Sequence, residues 1–277
     1  AGLGSRVTLV EFNPQLLAGA DPDLVKPVLK NCEQQFDQIL TEAAVEAITP
    51  SKAGFDVKIK MKNRTIESSF EKVLAATGRR PNTDDIGLEH LGLETDASGR
   101  IPVDDTCRTA VSHIFAVGDI TAGPALAHKA AREGKVAVEV IAGKPSAFDN
   151  VSVPAVLFTH PEISWTGLTE TEAKRRNIAY NKGVFPLTAL GRAKSTGKTE
   201  GFVKVLSDPE SELILGMGIV GENASELISE GNLAIEMGAC LEDLIVSIHP
   251  HPTFSEAVME AAEMAKHGSV HLFKKGS

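Results

Sequence analysis

The pattern of predicted elements changes near residue 150, and this change constrains the fold more than any other feature of the sequence. Before it, apolar runs typical of single strands alternate with helical segments, as in an α/β protein. After it, residues 151 to about 221 have the pattern of successive strands with one helix near 169–176. Two more helices are predicted near 223–238 and 253–266. Strands followed by helices are typical of an α+β domain, so a domain boundary is predicted near residue 150.

Composition and charge limit the class of protein. The 277 residues are enough for about two domains, and 42% hydrophobic with 23% charged residues are the proportions of a globular protein. The net charge of -9 argues against nucleic acid or an anionic membrane as the main partner. No run approaches the roughly 18 apolar residues of a membrane span. Cys32, Cys107 and Cys240 form no CxxC or CxxxxC, which argues for a reducing compartment and against a zinc site or a local redox pair.

An acidic residue closes the first predicted strand. The run from Arg6 to Phe12 is apolar and β-branched, and it carries Glu11 near its end. In a dinucleotide-binding βαβ unit, the second strand ends in a carboxylate that binds the ribose hydroxyl groups. The phosphate-binding glycine loop lies about 20 residues earlier in such a unit, so this sequence is expected to begin partway through one. An acid is also common at an ordinary turn after a strand.

Another predicted strand leads into a loop that would suit a nucleotide. Upstream of this loop, the pattern predicts a helix at 21–38 and short strands at 39–75. Residues 73–76 have the pattern of a buried strand, which opens into a Gly-Arg-Arg-Pro loop at 78–81. Gly78 would let the backbone approach a ligand closely, although it could equally serve a turn.

A further strand is predicted to end at a Gly-Asp pair. Residues 114–117 run into Gly118 and Asp119, and a helix is predicted to begin near Ala125. This order would bring a carboxylate and free helix amides to one place, which suits a sugar hydroxyl together with an electron-rich ring or a phosphate. Asp119 could also be a helix-entry turn residue, and His128 a helix residue that faces solvent.

The segment at 247–256 contains a candidate acid/base pair. His251 lies between two prolines, and Glu256 follows five residues later. An imidazole titrates near neutral pH, and a carboxylate on its second ring nitrogen would fix the tautomer of a base that deprotonates a thiol. Thr253 and Glu256 also fit a capping box before a helix that ends at Gly268, and a Glu engaged in a cap could not serve fully as the partner of a base. The residues alone leave both alternatives open.

Two glycine motifs are similar to phosphate-binding loops and are rejected. Residues 216–221 fit GxGxxG, but Ile219 and Val220 continue an apolar strand, so tightly packed strand glycines are the better interpretation. Residues 191–199 have one residue too many for a P-loop, and the pattern at 201–206 predicts a strand where a helix is required.

Taken in order along the chain, these segments resemble the pyridine nucleotide–disulfide oxidoreductase family. The resemblance covers essentially the whole chain and is carried by the runs at 10–12, 76–82, 114–119, 126–130, 158–162 and 249–256. The Gly-Asp and Gly-Arg-Arg-Pro segments are family-wide. The His-x-His-Pro-Thr-x-x-Glu form is similar to the dihydrolipoamide dehydrogenases of the family, whereas glutathione reductases usually lack the first His and mercuric reductases depart further.

The resemblance implies roles for ten residues. His251 would be the acid/base and Glu256 its partner, acting in trans across a homodimer. Asp119 would bind the ribityl chain of FAD, with helix amides at the isoalloxazine. Glu11 would hold the adenosine ribose of NAD and disfavour the 2′-phosphate of NADP. The remaining implied contacts are with the isoalloxazine at Ala125, Leu126, Ala127 and His128, and with NAD at Val45 and Gly78.

The resemblance also implies a domain plan and partners. We expect the C-terminal part of an NAD-binding domain at 1–79, an FAD-contacting central segment at 80–150 and an α+β dimerisation domain at 151–277. The expected activity is NAD-dependent oxidation of dihydrolipoamide on the lipoyl domains of a 2-oxo acid dehydrogenase complex, in the bacterial cytoplasm or the mitochondrial matrix. The alternatives are another flavin disulfide reductase and an inactive dimerisation fragment. The redox CxxxxC of the family is not in this sequence, so the chain by itself is expected not to oxidise dihydrolipoamide.

Overall fold

The fold was analysed in a computed structural model, which describes residues 1–272. The chain forms two compact units. The first contains residues 1–73 together with the chain from 152 onward, and the second contains residues 74–151. None of the helices in residues 1–272 is long and apolar enough to cross a membrane.

Residues 1–73 contain a short βαβ arrangement followed by a three-stranded sheet. The elements are β1 (Thr8–Val10), α1 (Pro22–Gln35), β2 (Gln38–Leu40), β3 (Ala43–Ser51), β4 (Gly54–Met61) and β5 (Arg64–Phe70). Strands β1 and β2 pair in parallel, and β3, β4 and β5 form an antiparallel sheet in that order. The parallel pair around α1 and the strands at 38–70 confirm the elements predicted for this part of the chain.

The unit of residues 74–151 contains one long helix, α2 (Ala127–Ile141). Its remaining regular structure is two 3₁₀ turns at Leu88–Leu91 and Gly118–Ile120. Val136 and Ala137 of α2 pack with Cys107 in its core.

Two predictions for this region are wrong. Residues 73–76 are irregular and Leu74 is 92% exposed, because an apolar run forms a buried strand only where neighbouring strands pair with it. Within residues 114–117, Phe115 forms a single β-bridge with Arg108, because the tight turn between the two segments leaves too few residues for a strand. The helix predicted to begin near Ala125 is confirmed, with its first residue at Ala127, since Leu126 has extended backbone angles.

The chain from residue 152 forms an antiparallel five-stranded sheet with helices. Its strands are β6 (Ala155–Leu157), β7 (Glu162–Gly167), β8 (Asn181–Pro186), β9 (Phe202–Ser207) and β10 (Ile214–Gly221), in the order β6-β7-β10-β9-β8. Its helices are α3 (Glu170–Arg176), α4 (Gly191–Thr196), α5 (Ala224–Met237), α6 (Leu241–Val246) and α7 (Glu256–Lys266). The α+β class is confirmed here, as are the helices predicted near 169–176, 223–238 and 253–266. Helices α4 and α6 are additions that the sequence pattern did not predict.

Both faces of the five-stranded sheet are covered. Because side chains alternate along a strand, Met217 and Ile219 of β10 face the core formed with α5 and α7, whereas Val220 faces α1. A Cβ atom on Gly216 would lie 2.0 Å from the Leu168 carbonyl oxygen. The glycines of residues 216–221 therefore belong to a tightly packed strand, which confirms the rejection of a nucleotide loop.

A buried lysine lies on the α1 side of the sheet. The Nζ atom of Lys204 in β9 is 2.8 Å from Asp21 Oδ2, 2.7 Å from Asp23 Oδ1 and 3.1 Å from Glu170 Oε1. Asp21 also accepts hydrogen bonds from the backbone amides of Glu170 and Thr171, each at 2.9 Å, at the beginning of α3. This ammonium therefore lies at the point where three carboxylates converge, and it joins the start of α1 to the sheet.

Candidate functional site

The candidate base lies on the loop that joins α6 to α7. The side chain of His251 is 76% exposed, and its Nδ1 atom lies 2.8 Å from Glu256 Oε1. Glu256 is the first residue of α7, so its carboxylate is held by a helix end while the imidazole remains open to solvent. The pair predicted from the sequence is thus formed.

Glu256 binds the imidazole and the backbone of the loop at the same time. Its Oε1 atom faces His251, and its Oε2 atom accepts a hydrogen bond of 2.8 Å from the backbone amide of Thr253. Burial alone would raise the pKa of Glu256, but these two bonds outweigh it and hold the pKa below its ordinary value. The predicted capping box is not formed, because Ser255 is the N-cap of α7 and the Thr253 hydroxyl donates to the Pro250 carbonyl oxygen. The carboxylate of Glu256 holds the loop backbone with one oxygen and faces the imidazole with the other.

The ionised carboxylate determines which ring nitrogen of His251 can act as a base. A carboxylate only accepts hydrogen bonds, so the Nδ1 atom of His251 carries the proton in the neutral ring. The Nε2 atom then has a free lone pair on the exposed side of the ring, where it can take a proton from a thiol.

A groove of about 600 Å³ lies beside this loop. Thr253 and Phe254 line one side of it, and Arg192 and Glu226 line another. Gly191 lies next to His251, since a Cβ on Gly191 would be 3.9 Å from the Cε1 atom of the imidazole. A substrate arm could therefore approach the base loop along a surface with both charged and apolar groups.

Two predicted NAD-binding residues lie in residues 1–73. Glu11 follows β1 directly, and its Oε1 atom accepts hydrogen bonds of 2.8 Å from the backbone and the side-chain amide of Asn13. This arrangement holds a carboxylate at the carboxyl end of a parallel strand, where a ribose hydroxyl could bind. Val45 lies on β3 beside a bulge in its pairing with β4 and is 46% exposed.

Predicted nucleotide residues also occur in the unit of residues 74–151. Gly78 has φ +102°, a conformation that favours glycine, and a Cβ there would meet nothing within 4 Å. Asp119 lies in the 3₁₀ turn at 118–120, and its Oδ2 atom is 3.4 Å from Arg79 Nη1. Its side chain is 47% exposed, so the pairing with Arg79 is weak and the carboxylate is accessible to a polyol.

The start of α2 holds the remaining predicted residues. Ala125 and Leu126 precede the helix, and Ala127 and His128 are its first two residues. Residues of the same helix hold the Gly-Asp turn: Glu133 accepts a hydrogen bond of 2.7 Å from the backbone amide of Gly118. The turn that carries Asp119 is thereby held against α2, whose free N-terminal amides favour negatively polarised ligand atoms.

Sequence reasoning missed the buried polar groups that support these positions. His249, Glu133 and Lys204 have side chains 7%, 6% and 2% exposed. His249 belongs to the motif that identified the dyad, but its own partner is Glu230, 19 residues earlier on α5. Neighbours in the sequence give no signal for such a pair.

Two family models match the chain. The model described as pyridine nucleotide-disulphide oxidoreductase matches residues 1–134, and the one described as the dimerisation domain of the same family matches residues 153–262. Helix α1 thus lies within the first match, and the five-stranded sheet that it covers lies within the second.

The chain is similar over nearly its whole length to curated proteins named dihydrolipoyl dehydrogenase. It is 45% identical to one from Halobacterium salinarum over 276 residues, and 42% identical to one from Geobacillus stearothermophilus over 275 residues. Each match covers 99% of this chain and 58% of the relative, so the chain spans less than two thirds of their length.

Solved structures agree with this assignment. The chain matches the crystal structure of LpdA from Mycobacterium tuberculosis with a TM-score of 0.86 and 28% identity, covering 94% of this chain and 56% of that one. A flavoprotein disulfide reductase induced by HOCl in Escherichia coli, RclA, matches with a TM-score of 0.84 at 24% identity, over 95% of this chain and 60% of that one, which supports the fold alone. With both family models, these relatives and the predicted motifs in one order, the chain belongs to the pyridine nucleotide–disulphide oxidoreductase family.

Proposed function

We propose that this chain supplies the acid/base and much of the cofactor-binding surface of a dihydrolipoyl dehydrogenase, which oxidises dihydrolipoamide with NAD. The observation that carries the proposal is the His251–Glu256 pair, with a carboxylate on Nδ1 and an exposed Nε2 atom. The names of the relatives at 42–45% identity support the same substrate, and the description of the family model supports a pyridine nucleotide.

The described residues fit FAD and NAD. Asp119 offers an accessible carboxylate in a turn that packs against α2, which suits the ribityl hydroxyls of FAD, and the free amides at the start of α2 suit its ring. Glu11 offers a carboxylate at the end of a parallel strand, which suits the adenosine ribose of NAD. Val45, in the same unit as Glu11, is 46% exposed and could contact the same nucleotide. Gly78 remains a proposed NAD contact on the basis of the family resemblance. When bound, FAD would carry the electron pair from the thiols to NAD as a hydride.

His251 would act on the first substrate thiol. Its Nε2 atom takes the thiol proton, and Glu256 stabilises the imidazolium that forms. The resulting thiolate attacks one sulfur of a redox disulfide and releases the other sulfur as a thiolate. The second substrate thiol then loses its proton, and its thiolate attacks the substrate sulfur of the mixed disulfide. This step closes the lipoamide ring and displaces the other sulfur of the redox disulfide, so that both of those sulfurs are then reduced. Cys32, Cys107 and Cys240 are all free, and burial raises the pKa of Cys32 and Cys107, so we assign the disulfide to a part of the enzyme outside this sequence.

The partners follow from the same proposal. The match to a dimerisation domain supports a homodimer, in which His251 of one subunit would serve the disulfide of the other. Lipoyl domains of a 2-oxo acid dehydrogenase complex would present the substrate. A reducing compartment, the bacterial cytoplasm or the mitochondrial matrix, suits three unpaired cysteines.

A hybrid enzyme tests the proposal, with this chain in place of the matching part of the Geobacillus stearothermophilus relative. We expect the hybrid to reduce NAD with dihydrolipoamide, and the 277-residue chain alone to show no turnover. The His251→Gln substitution in the hybrid should lower the rate of NAD reduction by dihydrolipoamide by about 100-fold or more, because a positioned base is lost. Electron transfer from NADH to a dye needs no thiol deprotonation, so it should persist in the variant.

His267→Gln is the matched control, because His267 is exposed at the end of α7 and has no contact with the base loop. A hybrid that binds FAD and passes electrons from NADH to the dye but does not oxidise dihydrolipoamide would refute the substrate assignment. Full turnover in the His251→Gln variant would refute the role of the imidazole.

A further inference from the structure

A second histidine in the same loop has the opposite environment to the candidate base. The side chain of His249 is 7% exposed, whereas that of His251 is 76% exposed. The Nε2 atom of His249 lies 2.7 Å from Glu230 Oε1 on α5, and its Nδ1 atom lies 2.8 Å from the backbone oxygen of Ser247. His249 therefore connects the loop both to α5 and to the end of α6.

Both contacts of His249 are made to oxygen atoms that accept hydrogen bonds. A ring nitrogen that carries a proton can donate to the oxygen that faces it. The contact between Nε2 and Glu230 joins the loop to α5, whereas the contact between Nδ1 and Ser247 stays at the end of α6. The Glu230 contact is therefore the one that ties the loop to a different element of the fold.

The other hydrogen bonds of the loop are local: Thr253 Oγ1 donates to the Pro250 carbonyl oxygen at 2.7 Å, and Ser247 Oγ donates to the Asp243 carbonyl oxygen at 2.6 Å. Ile248 is 98% exposed, and the Pro252 side of the loop is held by the bond from Thr253 to Glu256 and by the buried ring of Phe254. On the other side of His251, the buried group is His249. The backbone of the base is thus fixed from one side by α7 and from the other by the bond to α5.

We propose that His249 and Glu230 are positioning residues, which hold the loop so that the Nδ1 atom of His251 stays on Glu256 and its Nε2 atom points outward. The consequence for catalysis rests on the proposed function. Loss of the Glu230 contact would let the loop move, and a misdirected base lowers the rate of proton transfer more than it lowers substrate binding. Loss of the Glu230 contact should therefore lower kcat more than it changes KM.

A set of three variants separates positioning from a general effect on stability. Glu230→Ala removes the acceptor. Glu230→Gln can restore the contact, because its amide can donate to the Nε2 atom of a neutral His249 while Nδ1 still donates to Ser247. Glu236→Gln removes an equal charge from the same helix, at a residue that binds the backbone of Ser152 instead of the base loop.

Two measurements are made on these variants. In the hybrid enzyme, Glu230→Ala should lower kcat for dihydrolipoamide by about 10-fold with KM changed by less than about 2-fold, while NADH-to-dye transfer stays constant. Glu230→Gln should recover most of the loss, and Glu236→Gln should behave as the parent. In the 277-residue chain, ¹⁵N NMR of the ring nitrogens should show His251 protonated on Nδ1 in its neutral form, with the other tautomer increasing only in Glu230→Ala.

The proposal is overturned if Glu230→Ala leaves kcat and the tautomer unchanged, if dye reduction falls in parallel, or if Gln is no better than Ala. A hybrid that does not oxidise dihydrolipoamide at all would instead refute the proposed function. In that case the NMR measurement of the His251 tautomer in the chain itself still tests whether His249 and Glu230 position the ring.

Discussion

Removing the buried ammonium of Lys204 should destabilise the contact between α1 and the five-stranded sheet. Its Nζ atom binds three carboxylates at 2.7–3.1 Å, and the side chains of Lys204 and Asp21 are each 2% exposed. In Lys204→Met the three acids would face one another, and Lys182 would remain as a cation on Glu170. Removing one partner of a buried ion pair costs about 3–5 kcal/mol, because the other charge stays buried without compensation. We expect a loss of that size in the free energy of unfolding at pH 7.

The lowered pKa of Asp21 gives an independent measure of how much this cluster stabilises the folded chain. Burial alone would raise this pKa, but the hydrogen bonds from Lys204 and Thr171 outweigh it and lower the pKa from 3.8 to about 2. A lowered carboxyl pKa adds stability that is present above pH 3.8 and is lost as the pH falls through about 2. The difference corresponds to about 2 kcal/mol, which Asp21→Asn should remove together with its part of the acid sensitivity.

Urea denaturation of the 277-residue chain measures both effects, with the fluorescence of Trp165 as the probe. Trp165 is the single tryptophan of the sequence and packs in the cluster formed by α1. The matched control is Lys182→Met, which removes an ammonium 3.1 Å from the same Glu170 but from a side chain that is 39% exposed. We expect that control to cost less than about 1 kcal/mol. The reasoning is refuted if Lys204→Met costs no more than the control, or if Asp21→Asn keeps the parent dependence on pH between 2 and 4.

Three further outcomes are expected. In the hybrid enzyme, Glu11→Ala should raise KM for NAD about 10-fold with little change in kcat, measured by steady-state kinetics, because it removes the ribose contact and leaves the chemistry intact. Asp119→Ala should weaken retention of FAD, measured by flavin absorbance after dialysis, while Asp84→Ala should not, because Asp84 pairs with Arg80 on the surface. Gly216→Ala should lower the free energy of unfolding of the chain by more than about 3 kcal/mol, because its Cβ would lie 2.0 Å from the Leu168 carbonyl oxygen. An unchanged KM, equal flavin loss or an unchanged stability would contradict the respective prediction.

The sequence predicted elements well where a local pattern is sufficient to form them. The apolar runs of β9 and β10 suit strands that are covered on both faces, and the amphipathic pattern of α5 places its apolar side chains on one face, so these elements lie where the pattern indicates. The same rule was wrong for residues 73–76, because an apolar run of four residues does not contain the partner strand that would bury it. Helix α6 has six residues, fewer than two turns, and so short a segment has too little periodicity to be recognised.

The sequence pattern could not predict polar contacts between residues that are far apart in the chain. Lys204 alternates with Val203 and Val205 on β9 and would be expected to point to solvent. Its partners Asp21 and Asp23 are more than 180 residues away along the chain, and only the packing of α1 on the sheet brings them to the ammonium. A lysine at the centre of a sheet can be interpreted as buried only once the carboxylates that compensate its charge are known.

The two alternatives for Glu256 show why the motif alone could not decide the chemistry. A capping box and an acid/base pair both require a carboxylate at this position, so the sequence of the loop fits both interpretations. The carboxylate has two oxygens, and the start of α7 directs one to the amide of Thr253 and the other to the ring of His251. The bond to the backbone fixes the carboxylate, and a fixed carboxylate is a better partner for the imidazole than a mobile one, because less freedom is lost when the imidazolium forms. The bond from Glu256 to the loop backbone would thus contribute to the orientation of the proposed base, and the structural function of Glu256 would be part of its chemical one.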